Sequence, residues 1–100
     1  MTKKKVELED KFLLSIYPVI KALAHPVRLK ILNHLKEGGA SVIGIVEGTG
    51  INRQVVTFHL GLMKEAGVLT SMKEGIYAIY QIDGDVIESL SEDMMEFALP

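Results

Sequence analysis

The chain has 100 residues, of which 48% are hydrophobic and 24% charged, with a formal charge of −2 and no cysteine or tryptophan. That length suits a single domain, taken as residues 1–100, and the missing cysteine excludes a disulfide framework, a thiolate zinc site and a thiol redox switch. No apolar run approaches the roughly 18 residues of a membrane span. The basic start, Met1-Thr2-Lys3-Lys4-Lys5, leads into Val6-Glu7-Leu8-Glu9-Asp10 rather than an apolar signal core, so a cytoplasmic protein without membrane contact is expected. The apolar share is high for a chain that hides only about 60–68% of its unfolded surface. The excess points to burial against a second copy. Charge is uneven: residues 83–100 hold six acids and no base, and the first 82 residues are net +4. The acidic total therefore does not exclude a polyanionic partner.

In chain order, Leu8, Phe12, Ile16, Val19, Ile20 and Leu23 recur at a helical period, and Leu13, Leu14 and Tyr17 widen the stripe. A stripe that wide predicts a helix over 6–24 buried on two sides, against the core and against a partner. Pro18 lacks an N–H and predicts a kink or break near Tyr17. His25-Pro26 opens a second helix, since proline suits a first turn. Val27, Ile31, Leu32 and Leu35 form its apolar face, Arg28, Lys30 and Lys36 its polar one, and Gly38-Gly39 ends it. Ser41 caps a short third helix with Val42, Ile45 and Val46 inward, and Gly48-Thr49-Gly50 breaks the chain. Asn52 is an N-cap for a fourth helix reaching about Ala66 and closed by Gly67. Val68–Lys73 and Ile76–Ile82 read as strands around a Glu74-Gly75 turn. A last helix follows over 84–99, with Val86, Ile87, Leu90, Met94 and Phe97 apolar and Glu88, Glu92, Asp93 and Glu96 acidic. The result is a mainly α fold with a small β-hairpin: a winged helix-turn-helix of about five helices and a two-stranded antiparallel wing.

That layout is suited to reading DNA, the second helix of the motif entering the major groove with its N-terminal residues toward base edges. Here Arg53, Gln54 and Thr57 share one face. Arginine suits a bidentate contact to guanine and glutamine one to adenine, and threonine reaches a base edge or a thymine methyl. Lys64 continues the stripe toward a phosphate, and Arg28, Lys30 and Lys73 are further candidates for phosphate contact. Phe58 faces either a thymine methyl or a neighbouring helix. Val56, Leu60 and Met63 form the opposite, core-facing side. A solvated helix start and a solvated acidic face are the plain alternatives for Arg53 and Gln54 and for the last helix.

The histidines carry structural expectations. His25 closes the first helix or caps the second, His59 takes a hydrogen-bonded role beside the core, and His34 has no partner in sequence. No two stand at i, i+3 or i, i+4, so no metal site is expected and no cofactor is implied. Neither a phosphate loop, a nucleophile elbow nor a zincin motif is present, and Ser15, Ser41, Ser71, Ser89 and Ser91 lack a neighbouring His or acid in a catalytic pattern.

Four stretches in order resemble the ArsR family of winged-helix regulators. They are Lys21–Leu32 (KALAHPVRLKIL), Val56–Leu60 (VTFHL), Lys64–Leu69 (KEAGVL), and Lys73-Glu74-Gly75 with Tyr80. The resemblance spans about three-fifths of the chain. It implies a homodimer joined through the helices over 6–24 and 84–99, with Phe12, Ile16, Ile20, Ile87, Leu90, Met94 and Phe97 at the interface. It also implies double-stranded DNA with a palindromic operator as partner, repression, and release by an effector. The chain departs from the metal-sensing members, which carry a cysteine motif in the third helix; Ser41–Glu47 has neither Cys nor His. The tail has Asp83, Asp85 and Glu88 but no His. A small organic effector at the dimer seam is the expectation that remains. The wing is also poorly basic, with Lys73 its tip cation and Ile76 where the family often has a base. A protein-association module docking a basic partner through the acidic last helix is the competing function.

Overall fold

A computed structural model describes residues 14–98, with side chains through residue 96. The helix over residues 14–23 (α1) is followed by α2 (Pro26–Leu35), α3 (Val42–Thr49), α4 (Arg53–Glu65), β1 (Leu69–Glu74), β2 (Tyr77–Ile82) and α5 (Gly84–Ala98). The expected fold is present: five helices with one antiparallel hairpin.

Each boundary has a local cause. His25 is the N-cap of α2, its Nδ1 accepting from the Val27 N–H at 3.1 Å, with Pro26 in the first turn. The Ser41 hydroxyl accepts from the Gly44 N–H at 3.1 Å, and the Asn52 side chain from the Gln54 N–H at 2.8 Å. Such caps are each worth about 0.5–2 kcal/mol. Asp83 caps α5, its carboxylate accepting from the N–H groups of Asp85 and Val86.

Two local expectations are corrected, and a third, a kink or break near Tyr17, loses its second alternative. No break falls at Tyr17: α1 runs through Pro18 to residue 23. Ile16 and Ala22, at 2% and 5% exposure, are buried on either side of it, and their packing holds the helix despite the lost donor. The break after α3 is at Gly50 alone, in the left-handed region at φ 73°. Gly48 and Thr49 are still helical. Gly48 is there for size, because a Cβ would overlap the His34 ring, so α2 and α3 approach through that pair. The hairpin turn is Gly75-Ile76, one residue later than read, because Glu74 pairs with Tyr77. Gly75 has φ 63° and Ile76 does not share a positive φ, the pattern of a type II′ turn with glycine first.

The core gathers Ala22, Ile31, Leu35, Ile45, Val56, Leu60, Met63, Val68 and Leu69, drawn from α1 to β1. Each fully buried aliphatic side chain stabilises by about 1.5–3 kcal/mol. Tyr80, Ile82 and Ile87 pack on that cluster from β2 and α5. The hairpin is tied to the α2–α3 loop by a paired bridge, Ala40 N–H to Tyr80 O at 2.9 Å and Tyr80 N–H to Ala40 O at 2.8 Å. Thus α4 is packed between α2, α3 and β1 and leaves one face open.

Candidate nucleic-acid interface

At roughly 100° per residue, Arg53, Gln54, Thr57, Phe58, Gly61 and Lys64 fall on one arc of α4. Val56, His59, Leu60 and Met63 fall on the opposite one. Burial follows this division. The second set is buried and the first is exposed, Phe58 at 62%. The helix cannot roll about its axis without pulling Leu60 and Met63, at 1% and 0% exposure, out of the core. Its open face is therefore held in one orientation.

The N-terminal end of α4 is electropositive for two reasons. Its first turn carries no acid and begins with Arg53, and unpaired N–H groups and the helix dipole add partial positive charge. Lys64, exposed in the last turn, lies about 16 Å further along the axis. Lys30 on α2 and Lys73 on the wing are exposed as well. At the wing tip Ile76 is 92% exposed, and Met72 and Tyr77 are 57% and 49% exposed. The tip is therefore apolar, with Lys73 beside it.

Arg28 is placed differently from the other candidate cations. Its Nε donates to His59 Nδ1 at 3.1 Å, and its Nη1 donates to the carbonyls of Lys21 and Ala22 at 3.1 and 3.2 Å. The expected structural role of His59 has this partner: it is 7% exposed, and its ring stands 4.4 Å from that of His25. Phe58 turns away from the neighbouring helices into solvent and meets the His59 ring edge-on, with centroids 5.2 Å apart. Among the described residues no three His, Asp or Glu side chains converge as a metal cage.

The residues expected at a dimer seam are divided. Phe12 and the Phe97 side chain lie outside the described residues. Ile16 is already buried within its own chain, Ile20, Ile87 and Leu90 are half-buried, and Met94 is 39% exposed. Leu14 and Tyr17, which widen the apolar stripe of α1, are 80% and 53% exposed, and Met95 on α5 is 58% exposed, so both helices carry open apolar surface. An apolar groove of about 570 Å³ runs between α2 and α5, lined by Leu23, Leu29, Leu32, Ile82 and Ile87, with Glu88 and Glu92 on its α5 side. No described helix is long and apolar enough to cross a membrane.

Comparison with known proteins gives consistent results. Residues 23–71 match the family model described as "Helix-turn-helix domain". The chain is 30% identical over 79 residues to the transcriptional repressor SdpR of Bacillus subtilis (strain 168), covering 79% of this chain and 88% of that protein. Among solved structures it is similar to a homodimeric winged helix-turn-helix DNA-binding domain (fragment 1–100) from Mycobacterium bovis, described as "a possible ArsR-family transcriptional regulator". That match has 28% identity and a TM-score of 0.70, covering 98% of this chain and 88% of that one. An ArsR-like transcriptional regulator from Rhodococcus sp. RHA1 shares the fold with a TM-score of 0.80 at 21% identity, over 85% and 80% of the two chains.

Proposed function

The chain belongs to the ArsR family of winged-helix transcriptional regulators, and from that premise we propose that it is a homodimeric repressor that reads a palindromic operator through α4. The observation that carries this reading is the division of α4 into a core-locked face and an open one bearing Arg53, Gln54 and Thr57. Arg53 and Gln54 take guanine and adenine edges, Thr57 and Phe58 meet a thymine methyl, and Lys30, Lys64 and Lys73 hold phosphates. Arg28 is assigned to the internal contacts described above rather than to a phosphate.

Dimerisation through the helices over 6–24 and 84–99 is supported by the open apolar side chains of Leu14, Tyr17, Met94 and Met95. It would set two copies of α4 about one helical turn (~34–36 Å) apart, matching half-sites of a dyad-symmetric site. Bound there, the dimer represses by occluding polymerase. The groove between α2 and α5 is the place offered to a small apolar effector that would release the DNA.

The salt dependence of duplex binding tests this reading. With Lys30, Lys64 and Lys73 each holding a phosphate from each protomer, log K against log salt should fall with a slope of about −5. A slope near zero would favour a protein-association module docking through the acidic α5.

A further inference from the structure

Arg28 joins three elements. Its hydrogen bonds end on the carbonyls of Lys21 and Ala22 in the last turn of α1 and on His59 of α4, while its own backbone belongs to α2. Carbonyls of a last helical turn lack intrahelical donors, and the negative end of the helix dipole favours a cation beside them. The guanidinium therefore satisfies the end of α1 and holds α4 with the same fork.

The α4 end of this contact depends on a proton. Nδ1 of His59 accepts from Arg28 Nε, so that nitrogen is unprotonated and the neutral ring carries its hydrogen on Nε2. Two groups act electrostatically on His59: His25, at the α1–α2 junction, and Arg28, on α2; no carboxylate among the described residues does so. A proton on Nδ1 would remove the acceptor and set an imidazolium against the guanidinium.

We propose that Arg28 is a positioning residue that pins α4 to the end of α1 through neutral His59, and that proton uptake by His59 unpins the two helices. The inference rests on the proposed function only in that α4 is the reading helix and α1 a pairing helix. If so, acidification loosens the tie between them. Burial first, then the charges of His25 and Arg28, hold the His59 pKa below its ordinary 6.5. The unfolded chain thus binds this proton more readily than the folded one. The stabilisation is complete above about 6.5 and is lost as pH falls below that value.

NMR of the ¹⁵N-labelled protein, followed through the histidine range without DNA, tests the proposal independently of operator binding. His59 should be the Nε2–H tautomer at neutral pH and titrate below 6.5. Amide signals of residues 21–24 and of α4 should move with the same midpoint, and the urea midpoint should fall over the same interval. His59→Asn retains an acceptor at the δ position and takes up no proton, so its spectra should lack that transition at residues 21–24. An Nδ1–H tautomer at neutral pH, titration of His59 with residues 21–24 unmoved, or an unchanged transition in His59→Asn would each overturn the proposal. If His59→Asn does not fold, the wild-type titration decides alone.

Discussion

Replacing Arg53 with alanine is expected to weaken binding to a preferred duplex by about 1–3 kcal/mol, roughly 5- to 150-fold. The side chain is exposed in the first turn of α4 and hydrogen-bonds to no other side chain among the described residues. Its removal should therefore leave folding within about 0.5 kcal/mol of wild type. What is lost is a planar fork of donors delivered to a base edge from a helix end fixed by the Asn52 cap and the buried Val56. Anisotropy titration of a labelled duplex measures the loss, and urea unfolding shows that the fold is intact. Unchanged affinity, or an equal loss on every sequence, would mean that Arg53 does not read a base.

Replacing Leu60 with alanine is expected to have the largest effect on stability. Leu60 is 1% exposed on the inner face of α4, within the cluster that includes Ile31, Ile45 and Met63. Truncation removes transfer free energy and leaves a cavity that close-packed neighbours fill only in part, a cost of about 2–5 kcal/mol. Small domains have only about 5–15 kcal/mol in total, so a large share of the stability would go. Phe58→Ala, two residues away on the outer face, should leave the urea midpoint nearly unchanged and alter duplex binding instead. Should Phe58→Ala destabilise the fold as much as Leu60→Ala, the assignment of the two faces of α4 would be wrong.

The elements were legible in the residues because the local signals agree. His25-Pro26, Ser41 and Asn52 each cap the helix they were expected to begin. Alternation of apolar and polar positions on α4 separated its buried face from its open one. Errors arose where tertiary packing outweighed a local preference. Pro18 costs a hydrogen bond that buried neighbours outweigh, and Gly48 was read as a breaker although it only makes room for His34. Ile76 has strand propensity yet occupies the exposed corner of a turn that requires glycine at its first central position.

The site was legible in part for the same reason. Arg53, Gln54 and Thr57 lie within five residues, and helical period alone places them together. Arg28 is a polar-face cation when viewed on α2 alone. Its acceptors are six, seven and 31 residues away, and no periodicity relates those positions. The His25–Arg28 spacing across the start of α2 was the available signal, and it needed His59 from α4 to have meaning.

Selection of sites from a random pool of duplexes, run in parallel with the wild-type chain and with Arg53→Ala, is the most direct measurement of whether the open face of α4 reads sequence. The account predicts a dyad-symmetric consensus with half-sites about one turn of duplex apart, and relaxation at one position per half-site in the variant. No enrichment by the wild-type chain, or the same consensus from both proteins, would contradict it.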